Sequence, residues 1–539
     1  MRNIFISAGL ILLAFVLCMA LAPSRVEGQT IYNLEIIFQR GTPDTSLYYW
    51  GAAIAGVGDV NGDGYDDVAV GAYRYIDGSN DTAKVFIFYG GAAGIDTIPD
   101  LLISDFSYGT NGYNVCGGDI NKDGFSDIMV CAAGKIYIHF GGTPPSQNAD
   151  IVFGYGTNRV FDCVATGDLN GDDTLDLIAG DYFSYSGNGS VYIYKGSAAF
   201  DTISWVEIKG HGGEELGLTM GSGGDVNNDG DQDLYVGAFA NSVAYGWAGR
   251  LYVYHGGPVM DTMPDFIKDG EGGSQFWGES PSALCKNDKG YGRVWTGSYY
   301  YPGGWLSTKN NGKVELFYGG APMDSTPDMT IVGVDTFTGL GTCFASALAD
   351  SGGLGDLICG ALEDSGRGEG RLWTGKTNQD TTVNAWITGR WERDQLGVRT
   401  ANAGDVNGDG RDEVIFASNA DTDRQVVICK YTGPDGVAGQ PVNNEQLAIS
   451  NLLQNTPNPF SQRTNIKYQI NKPGIVNLSI YNVTGQLVKI LVNRYQEAGA
   501  YKVDWSGQDY NGQTASKAVY IYKLNAAGKN LVKKMTLIR

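Results

Sequence analysis

The sequence predicts an all-β protein, in which a propeller of seven four-stranded blades is followed by a small β-sandwich. Three observations support this prediction. An acidic loop recurs along the chain, short stretches rich in β-branched and aromatic residues flank each copy, and 79 glycines supply turns. Short strands at regular spacing with turn residues between them are typical of all-β folds.

The recurring loop is clearest in residues 59–67, Asp-Val-Asn-Gly-Asp-Gly-Tyr-Asp-Asp. Acidic or amide side chains occupy positions 1, 3, 5 and 9, position 6 is glycine, and position 7 offers its backbone carbonyl. This spacing suits a hard cation such as Ca²⁺, which takes about six to eight oxygen ligands. An EF-hand starts similarly but needs flanking helices and a Glu at position 12, where this chain has Val70 in a predicted strand.

Five copies keep the acidic or amide side chains at positions 1, 3, 5 and 9, and we call them the metal loops. About five structural Ca²⁺ ions are therefore expected. The predicted ligands are Asp59, Asn61, Asp63, Tyr65, Asp67, Asp119, Asn121, Asp123, Phe125, Asp127, Asp168, Asn170, Asp172, Thr174, Asp176, Asp225, Asn227, Asp229, Asp231, Asp233, Asp405, Asn407, Asp409, Arg411 and Glu413. Two altered copies begin at Cys285 and Asp350, where metal binding is doubtful because acidic positions are replaced or the loop is shortened.

The spacing of the seven copies determines the predicted architecture. They begin at residues 59, 119, 168, 225, 285, 350 and 405, at intervals of 49 to 65 residues. Repeats of this size suit a propeller of four-stranded blades. The seventh repeat ends at its third strand, residues 425–429, whereas residues 31–38 form a strand without a repeat. We therefore expect this N-terminal strand to complete the last blade and close the ring.

The N-terminal residues 1–28 have the pattern of a secretory signal peptide. A basic Arg2 precedes an apolar run from Ile4 to Ala22, and Val26-Glu27-Gly28 comes directly before the expected cleavage site at Gln29. The alternative is an uncleaved membrane anchor. No other apolar run approaches the roughly 20 residues of a spanning helix, so no membrane span is expected after cleavage.

The charge is distributed unevenly. Residues 450–539 carry 12 Lys and Arg against 3 Asp and Glu, whereas residues 29–449 carry a net charge of −31. This strong negative charge of residues 29–449 argues against nucleic acid as a partner. Clustered carboxylates repel one another without metal, so the fold is expected to need calcium.

Seven cysteines remain after removal of the signal. Cys116 with Cys131, and Cys343 with Cys359, lie on consecutive predicted strands of single blades. Each pair either forms a disulfide or consists of small buried apolar residues.

The repeats resemble a known family. Five of the seven begin with an aromatic residue or Leu followed by Gly, as in Trp50-Gly51 and Leu216-Gly217, and an Asp-x-Asn-x-Asp-Gly loop and a Gly-Ala pair typically follow. These features resemble the FG-GAP repeats of integrin α-subunit propellers and bacterial surface proteins, over residues 29–435. The resemblance implies calcium in the loops and ligands on the opposite face. Repeats 2 and 3 depart from it at Tyr113-Asn114 and Phe161-Asp162.

A polar linker, residues 436–449, precedes alternating strands predicted at 464–470, 474–482, 486–492, 499–505 and 518–524, with hairpin turns at Thr484-Gly485 and Asn511-Gly512. The Pro-Asn-Pro-Phe start at 457–460 and the Lys-Lys-Met-Thr-Leu-Ile-Arg end resemble the C-terminal sorting domain of the type IX secretion system, over residues 450–539. That domain is also similar to the Ig-like part of flagellar hook-capping proteins. The resemblance implies the secretion machinery as a partner and export across the outer membrane, while an ordinary binding sandwich is the alternative.

Aromatic residues cluster in predicted loops between second and third strands. They are Tyr73, Tyr75, Tyr182, Tyr185, Tyr245, Trp247, Tyr299, Tyr300, Tyr301 and Trp305. Because successive hairpin loops alternate between faces, these loops are expected opposite the metal loops. The rings either bind a glycan or protein or pack against one another.

No catalytic motif stands out, since the chain has no Gly-x-Ser-x-Gly elbow, P-loop or His-Glu-x-x-His. The sequence therefore predicts a secreted or cell-surface, calcium-binding, non-catalytic binding or adhesion module for an extracellular glycan or protein. The alternatives are a polysaccharide lyase or glycosidase and a structural component of a surface layer or matrix.

Overall fold

Nine small antiparallel sheets are present in the described part of the computed structural model, and seven of them lie between residues 31 and 431. The chain divides into two compact units, Met1–Gly439 and Gln440–Arg539. The structure describes residues 31–41, 47–77, 80–104, 106, 113–154, 161, 163–238, 240, 248–270, 284–286, 291–298, 301, 311–320, 322–333, 339–351, 354–361, 367–375, 381, 383–389, 394–418, 424–433, 451–452, 455, 457–470, 474–482, 486–496, 499–509, 514–526 and 529–538.

The seven sheets of the first unit are the blades, numbered here in chain order. Blade 1 comprises β3 (Leu47–Gly58), β4 (Asp67–Asp77), β5 (Asn80–Phe88) and β6 (Leu101–Ile103), and blade 2 comprises β7 (Tyr113–Gly118), β8 (Asp127–Ala132), β9 (Lys135–His139) and β10 (Ile151–Phe153). Blade 3 comprises β11 (Cys163–Gly167), β12 (Asp176–Asp181), β13 (Ser190–Tyr194) and β14 (Val206–Lys209), and blade 4 comprises β15 (Leu216–Gly224), β16 (Asp233–Ala238), β17 (Arg250–Tyr254) and β18 (Phe266–Asp269). A short helical turn, α1 (Ser184–Gly187), joins β12 to β13.

Blades 5 to 7 follow the same order and include the N-terminal strands. Blade 5 comprises β19 (Leu284–Lys286), β20 (Gly292–Ser298), β21 (Lys313–Tyr318) and β22 (Met329–Val332). Blade 6 comprises β23 (Leu340–Ala347), β24 (Asp356–Ala361), β25 (Glu369–Trp373), β26 (Ala385–Thr388) and β1 (Ile31–Tyr32). Blade 7 comprises β27 (Arg399–Gly404), β28 (Glu413–Ala417), β29 (Gln425–Tyr431) and β2 (Leu34–Gly41).

The blades form a closed ring. The first strands of neighbouring blades contact one another, except that blade 5 contacts blade 6 mainly through β20, and β27 of blade 7 contacts β3 of blade 1. Among the described residues, seven hydrophobic clusters each lie between two neighbouring blades. Both faces of a blade are therefore buried, which explains why the second strands β8, β12, β16 and β24 are buried at every residue. The predicted seven-bladed propeller is confirmed.

The N-terminal strand closes the ring as predicted, with one difference. β2 pairs with β29 and becomes the fourth strand of blade 7. The first two residues, Ile31 and Tyr32, instead pair with β26 in blade 6. Asn33 separates the two strands because its backbone is left-handed, with φ of 51°. The amide of Asn33 donates to the Asn384 carbonyl at 2.8 Å, so the N-terminal segment joins blades 6 and 7.

The second unit is a two-sheet sandwich, as predicted. Its sheets are β30 (Asn451–Leu452), β31 (Thr464–Ile470) and β34 (Gly499–Trp505), and β33 (Leu487–Gln496), β32 (Gly474–Asn482), β35 (Ala518–Ala526) and β36 (Lys529–Leu537). Its core includes Ile466, Leu478, Trp505 and Tyr522, all nearly inaccessible to solvent.

Strands β31, β32 and β34 have their predicted bounds, β33 and β35 are longer at their C-terminal ends, and β36 was not predicted. The predicted turns at Thr484-Gly485 and Asn511-Gly512 lie outside the described residues. Thr484-Gly485 falls between β32 and β33, which pair with each other. Asn511-Gly512 falls between β34 and β35, which belong to different sheets, so the chain crosses from one sheet to the other between these strands. Gln508 and Thr514 form one local bridge in this connection.

The cysteines of both predicted pairs, together with Cys429, are present as thiols. Four of these five cysteines are buried, which fits the alternative of small apolar core residues.

Candidate functional site

Each metal loop joins the first strand of its blade to the second, in blades 1, 2, 3, 4 and 7. The loops share a backbone in which positions 4 and 6 are both left-handed. In the first loop these are Gly62 and Gly64, with φ of 78° and 90°. In the third loop position 6 is Asp173, which adopts φ of 62° without being glycine. The common backbone turns the side chains at positions 1, 3 and 5 toward the loop interior.

The aspartate at position 1 organises each loop by accepting backbone hydrogen bonds. The N–H groups of Asp63 and Gly64 donate to the two carboxylate oxygens of Asp59 at 3.1 and 2.8 Å. The equivalent pair of bonds recurs in the other four loops at 2.7–3.2 Å. The amide oxygen of Asn61 accepts from the N–H of Asp63 at 2.8 Å.

The acid at position 9 is buried at the start of the second strand. Asp67 accepts the N–H of Val60, at position 2 of its own loop, at 3.0 Å and the N–H of Gly90, after the third strand, at 2.9 Å. Burial raises the pKa of Asp67 and Asp127 to about 7, of Asp176 and Asp233 to about 6, and of Glu413 to about 8. Through the backbone hydrogen bonds that they accept, the acids at position 9 hold each loop to its own blade.

The loops fit calcium in donor chemistry and in backbone shape. Carboxylate, amide and carbonyl oxygens are the ligands that Ca²⁺ takes. Among the described residues, however, no three His, Cys, Asp or Glu side chains converge closely enough to hold a metal. The carboxylates at positions 1, 5 and 9 instead accept loop N–H groups. A bound ion would have to draw these carboxylates together.

Blades 5, 6 and 7 differ in ways that bear on metal. In blade 7 the Lys430 ammonium contacts the carboxylate of Asp409, a predicted ligand. In blade 5, position 9 is Arg293, fully buried with its guanidinium 5.6 Å from the centre of the Tyr318 ring. In blade 6 the buried Asp356 accepts the N–H of Asp350 at 3.0 Å, so the shortened loop keeps the position 9 contact.

The metal loops are also joints between blades, which the sequence analysis missed. The residue at position 8 bonds to the loop of the preceding blade: Asp66 accepts the N–H of Asp405 at 2.8 Å, and Ser126 donates its N–H to the Asp59 carbonyl at 2.9 Å. The glycine pair after the third strand adds a second bond, from the Gly91 N–H to the Val406 carbonyl at 2.9 Å. The recurring Gly-Gly was the only sequence signal of this joint.

Blades also meet at the other end, where each repeat begins. Gly217, with φ of 93°, lies against Gly180 of the preceding blade, where an added Cβ on Gly180 would come within 2.0 Å of the Gly217 carbonyl oxygen. A Cβ added to Gly217 itself would lie 2.9 Å from the Ser190 carbonyl oxygen of the preceding blade, so the Leu-Gly opening of the repeat is a packing requirement.

Strand pairing places the loops between second and third strands at the opposite ends of the blades from the metal loops, as predicted. Tyr73 and Tyr75 do not lie in a loop, because β4 continues to Asp77; this part of the prediction is wrong. Five of the ten aromatic residues lie outside the described residues: Tyr245, Trp247, Tyr299, Tyr300 and Trp305.

The remaining aromatic residues differ in exposure. Tyr301 is half-buried, and the buried Lys313 ammonium lies 4.6 Å from its ring centre, which fits a packing role. Tyr185 is 47% exposed, and its hydroxyl donates to Glu207 at 2.8 Å. Tyr182 packs on Phe183 with ring centres 4.1 Å apart. Among the described residues, the exposed large aromatic side chains, Phe183 and Tyr185, therefore belong to blade 3.

The fold and its loops define a class: a propeller with FG-GAP repeats, followed by an Ig-like sandwich. Residues 50–88 and 111–139, in blades 1 and 2, match the FG-GAP repeat. Residues 458–530 match the FlgD Ig-like domain. The FG-GAP resemblance is confirmed for blades 1 and 2, and the likeness to the hook-capping Ig-like domain is confirmed for residues 458–530. The sorting-domain assignment stays a prediction.

The particular relatives are integrin α-subunits. The chain is 36% identical to chicken integrin alpha-6 over 133 residues, 23% of this chain and 12% of the relative. It is 32% identical to mouse integrin alpha-IIb over 167 residues, 27% and 16% of the two chains, and 27% identical to Drosophila integrin alpha-PS2 over 231 residues, 38% and 16%. The matched segments span less than a fifth of each relative.

One solved structure with partial likeness is PorZ, described as a surface component of the type IX secretion system of Porphyromonas gingivalis. The superposition covers 94% of this chain and 61% of PorZ, at 12% identity and a TM-score of 0.39. Likeness at that level supports no inference. Within the described residues, no helix is long and apolar enough to cross a membrane.

Proposed function

We propose that this protein is a secreted or cell-surface, calcium-stabilised propeller that binds an extracellular glycan or protein without catalysis. The observation that carries the proposal is that the metal loops are at the same time the joints of the ring. An ion held at such a loop would stabilise the contact between two blades as well as the loop. The integrin relatives support an extracellular binding role for the propeller.

Calcium would be held by positions 1, 3, 5, 7 and 9 of the five metal loops. When bound, the ion supplies two positive charges to each acidic loop and offsets the repulsion among its carboxylates. Blade 5 needs no such charge, because the Arg293 guanidinium occupies position 9 there. In blade 7 the Lys430 ammonium already contacts Asp409, so we expect this loop to bind calcium most weakly.

The ion count and the stability test this proposal together. Native mass spectrometry of the mature protein should show about five Ca²⁺ ions that EDTA removes, and EDTA should lower the midpoint of thermal unfolding. Magnesium at the same concentration is the control, because Mg²⁺ demands a stricter octahedral geometry. An ion-free protein whose unfolding temperature is indifferent to EDTA would contradict the calcium proposal.

The proposed route out of the cell uses both ends of the chain. Residues 1–28 are the proposed signal peptide, residues 29–435 the mature propeller, residues 436–449 the linker and residues 450–539 the sorting domain read by the type IX machinery. The match to the FlgD Ig-like domain supports the sandwich part of this assignment.

A fusion experiment separates sorting from an ordinary binding role. A signal peptide, a reporter and residues 440–539 are expressed in a bacterium that has a type IX system. The reporter should reach the cell surface or medium, and should stay periplasmic when the last ten residues are removed. Retention of both fusions in the periplasm would leave the sandwich as a binding domain.

A further inference from the structure

The loop between β12 and β13 of blade 3 has a defined conformation. The Ser184 hydroxyl donates to the Asp181 carbonyl at 2.9 Å, and the N–H of Gly189 donates to the Ser184 carbonyl at 3.1 Å. The loop is also tied to blade 4, since the N–H of Glu215 donates to the Gly187 carbonyl at 3.1 Å and the N–H of Gly213 donates to the Asn188 side chain at 2.8 Å. These bonds hold the loop in one arrangement.

Two consecutive residues of this loop have a strained backbone. Tyr185 (φ 50°, ψ 44°) and Ser186 (φ 63°, ψ 39°) are both left-handed, although neither is glycine. Such a conformation is unfavourable for residues that carry a Cβ. Strain of this kind persists only where the surroundings enforce it, and it is frequent at ligand sites.

The strained backbone holds the Tyr185 ring in a fixed polar setting. Its hydroxyl donates to Glu207 Oε1 at 2.8 Å, and the Lys209 ammonium lies 4.7 Å from the ring centre and 3.4 Å from Glu207 Oε2. We call Tyr182, Phe183, Tyr185, Glu207 and Lys209 the blade 3 platform. It combines flat rings with one carboxylate and one ammonium.

The platform leaves unusually large aromatic surface in water. Phe183 and Tyr185 are each 47% exposed, and they are the two aromatic residues among the large exposed hydrophobic side chains of the described chain. The Phe183 ring is supported by Tyr182, with an angle of 38° between the ring planes. An exposed aromatic pair on a fixed loop is typical of a binding site.

We propose that the blade 3 platform binds the pyranose ring of a neutral, β-linked glycan. This inference rests on the proposed function and names its ligand class. The C–H face of an equatorially substituted pyranose is flat and apolar, so it can stack on Phe183 or Tyr185. The ring hydroxyls can donate to Glu207 and accept from Lys209. A neutral chain is favoured over a polyanion because the body of the protein is strongly acidic.

Calorimetry with the full-length protein in calcium, using cellohexaose, xylohexaose and mannohexaose as probes, tests the proposal. At least one hexasaccharide should bind, and Phe183→Ala should weaken its affinity by about tenfold. Tyr185→Phe, which keeps the ring and loses the bond to Glu207, should weaken it less. Ile203→Ala is the matched control, since Ile203 is 77% exposed in the same blade on the metal-loop face, and it should bind like the wild type.

Two results would overturn the inference. One is that none of the three hexasaccharides binds the wild-type protein. The other is that a hexasaccharide binds Phe183→Ala as tightly as the wild type, which would place the glycan elsewhere and leave the proposed function standing. If a protein ligand is found whose capture needs Phe183 while no glycan binds, the binding function holds and the glycan assignment is wrong. Unchanged thermal unfolding of each variant verifies that it is folded.

Discussion

The closing strand β2 provides the sharpest test of the ring. Phe38 of this strand is only 2% exposed, and its ring packs edge-on against Phe88 of blade 1, with ring centres 5.1 Å apart. The same cluster contains Trp50, which is fully buried and donates its indole N–H to the Arg40 carbonyl of β2 at 3.3 Å. We expect Phe38→Ala to open a cavity in the core between blades 7 and 1, where the two ends of the propeller meet.

The expected loss can be estimated from this burial. Truncating a buried phenylalanine to alanine costs about 3–5 kcal/mol, which combines lost transfer free energy with the cavity left behind. At about 2 °C per kcal/mol for a large domain, the unfolding temperature should fall by about 6–10 °C. Phe38→Leu retains most of the volume and should cost less than about 1.5 kcal/mol.

Thermal unfolding followed by circular dichroism in calcium measures the effect. Phe183→Ala is the matched control, because it removes the same ring from a half-exposed site and should change the free energy of unfolding by less than about 1 kcal/mol. If Phe38→Ala unfolds at the temperature of the wild type or of Phe183→Ala, β2 does not close the ring in solution.

Three further predictions test the joints and the metal loops. Asp119→Ala should remove one calcium ion from the native mass spectrum, and an unchanged ion count would contradict the ligand assignment. Gly180→Ala should destabilise by about 3 kcal/mol or more, because its Cβ would come within 2.0 Å of the Gly217 carbonyl; Gly91→Ala, whose Cβ would find its nearest atom at 3.8 Å, is the control in thermal unfolding. Burial raises the pKa of Asp356 to about 7, so this group favours folding at acidic pH and that contribution is lost as the pH rises through 7. In EDTA the stability of Asp356→Asn should therefore fall less steeply than that of the wild type between about pH 4 and pH 7, and parallel curves would refute this.

The closure of the ring is held at both ends of blades 1 and 7. Asp66 and Asp405, which lie 339 positions apart in the chain, bond across the closure at the metal-loop end. At the opposite end, Gly51 of the Trp-Gly opening packs closely on blade 7, where an added Cβ would lie 2.9 Å from the Val426 side chain.

Much of the architecture could be predicted because its signals are local. The spacing of Asp59, Asn61, Asp63 and Asp67 specifies a hairpin loop, and its recurrence predicts seven blades. Alternating residues likewise predicted the bounds of β31, β32 and β34 in the sandwich. The missing fourth strand of the last repeat was enough to predict that β2 closes the ring.

Other features were decided by contacts between residues distant in sequence. Nothing near Asn33 shows that its turn divides the N-terminal strand between two blades, since the partners belong to repeats 6 and 7. The extension of β4 through Tyr73 and Tyr75 depends on pairing with Leu47 and Tyr48 ahead of it. The crossing from β34 to β35 depends on the packing of two sheets, whereas an Asn-Gly pair by itself specifies only a local turn.

By itself, the sequence determined the kind of loop, the number of blades and the acidic character of the propeller, because each depends on residue type and spacing along a few consecutive positions. Only the tertiary structure decided that the metal loops are joints, that Arg293 is buried where other blades carry an acid, and that Phe183 and Tyr185 are both exposed. Those properties arise where separate blades and strands meet, and the free energy of such contacts depends on both partners at once.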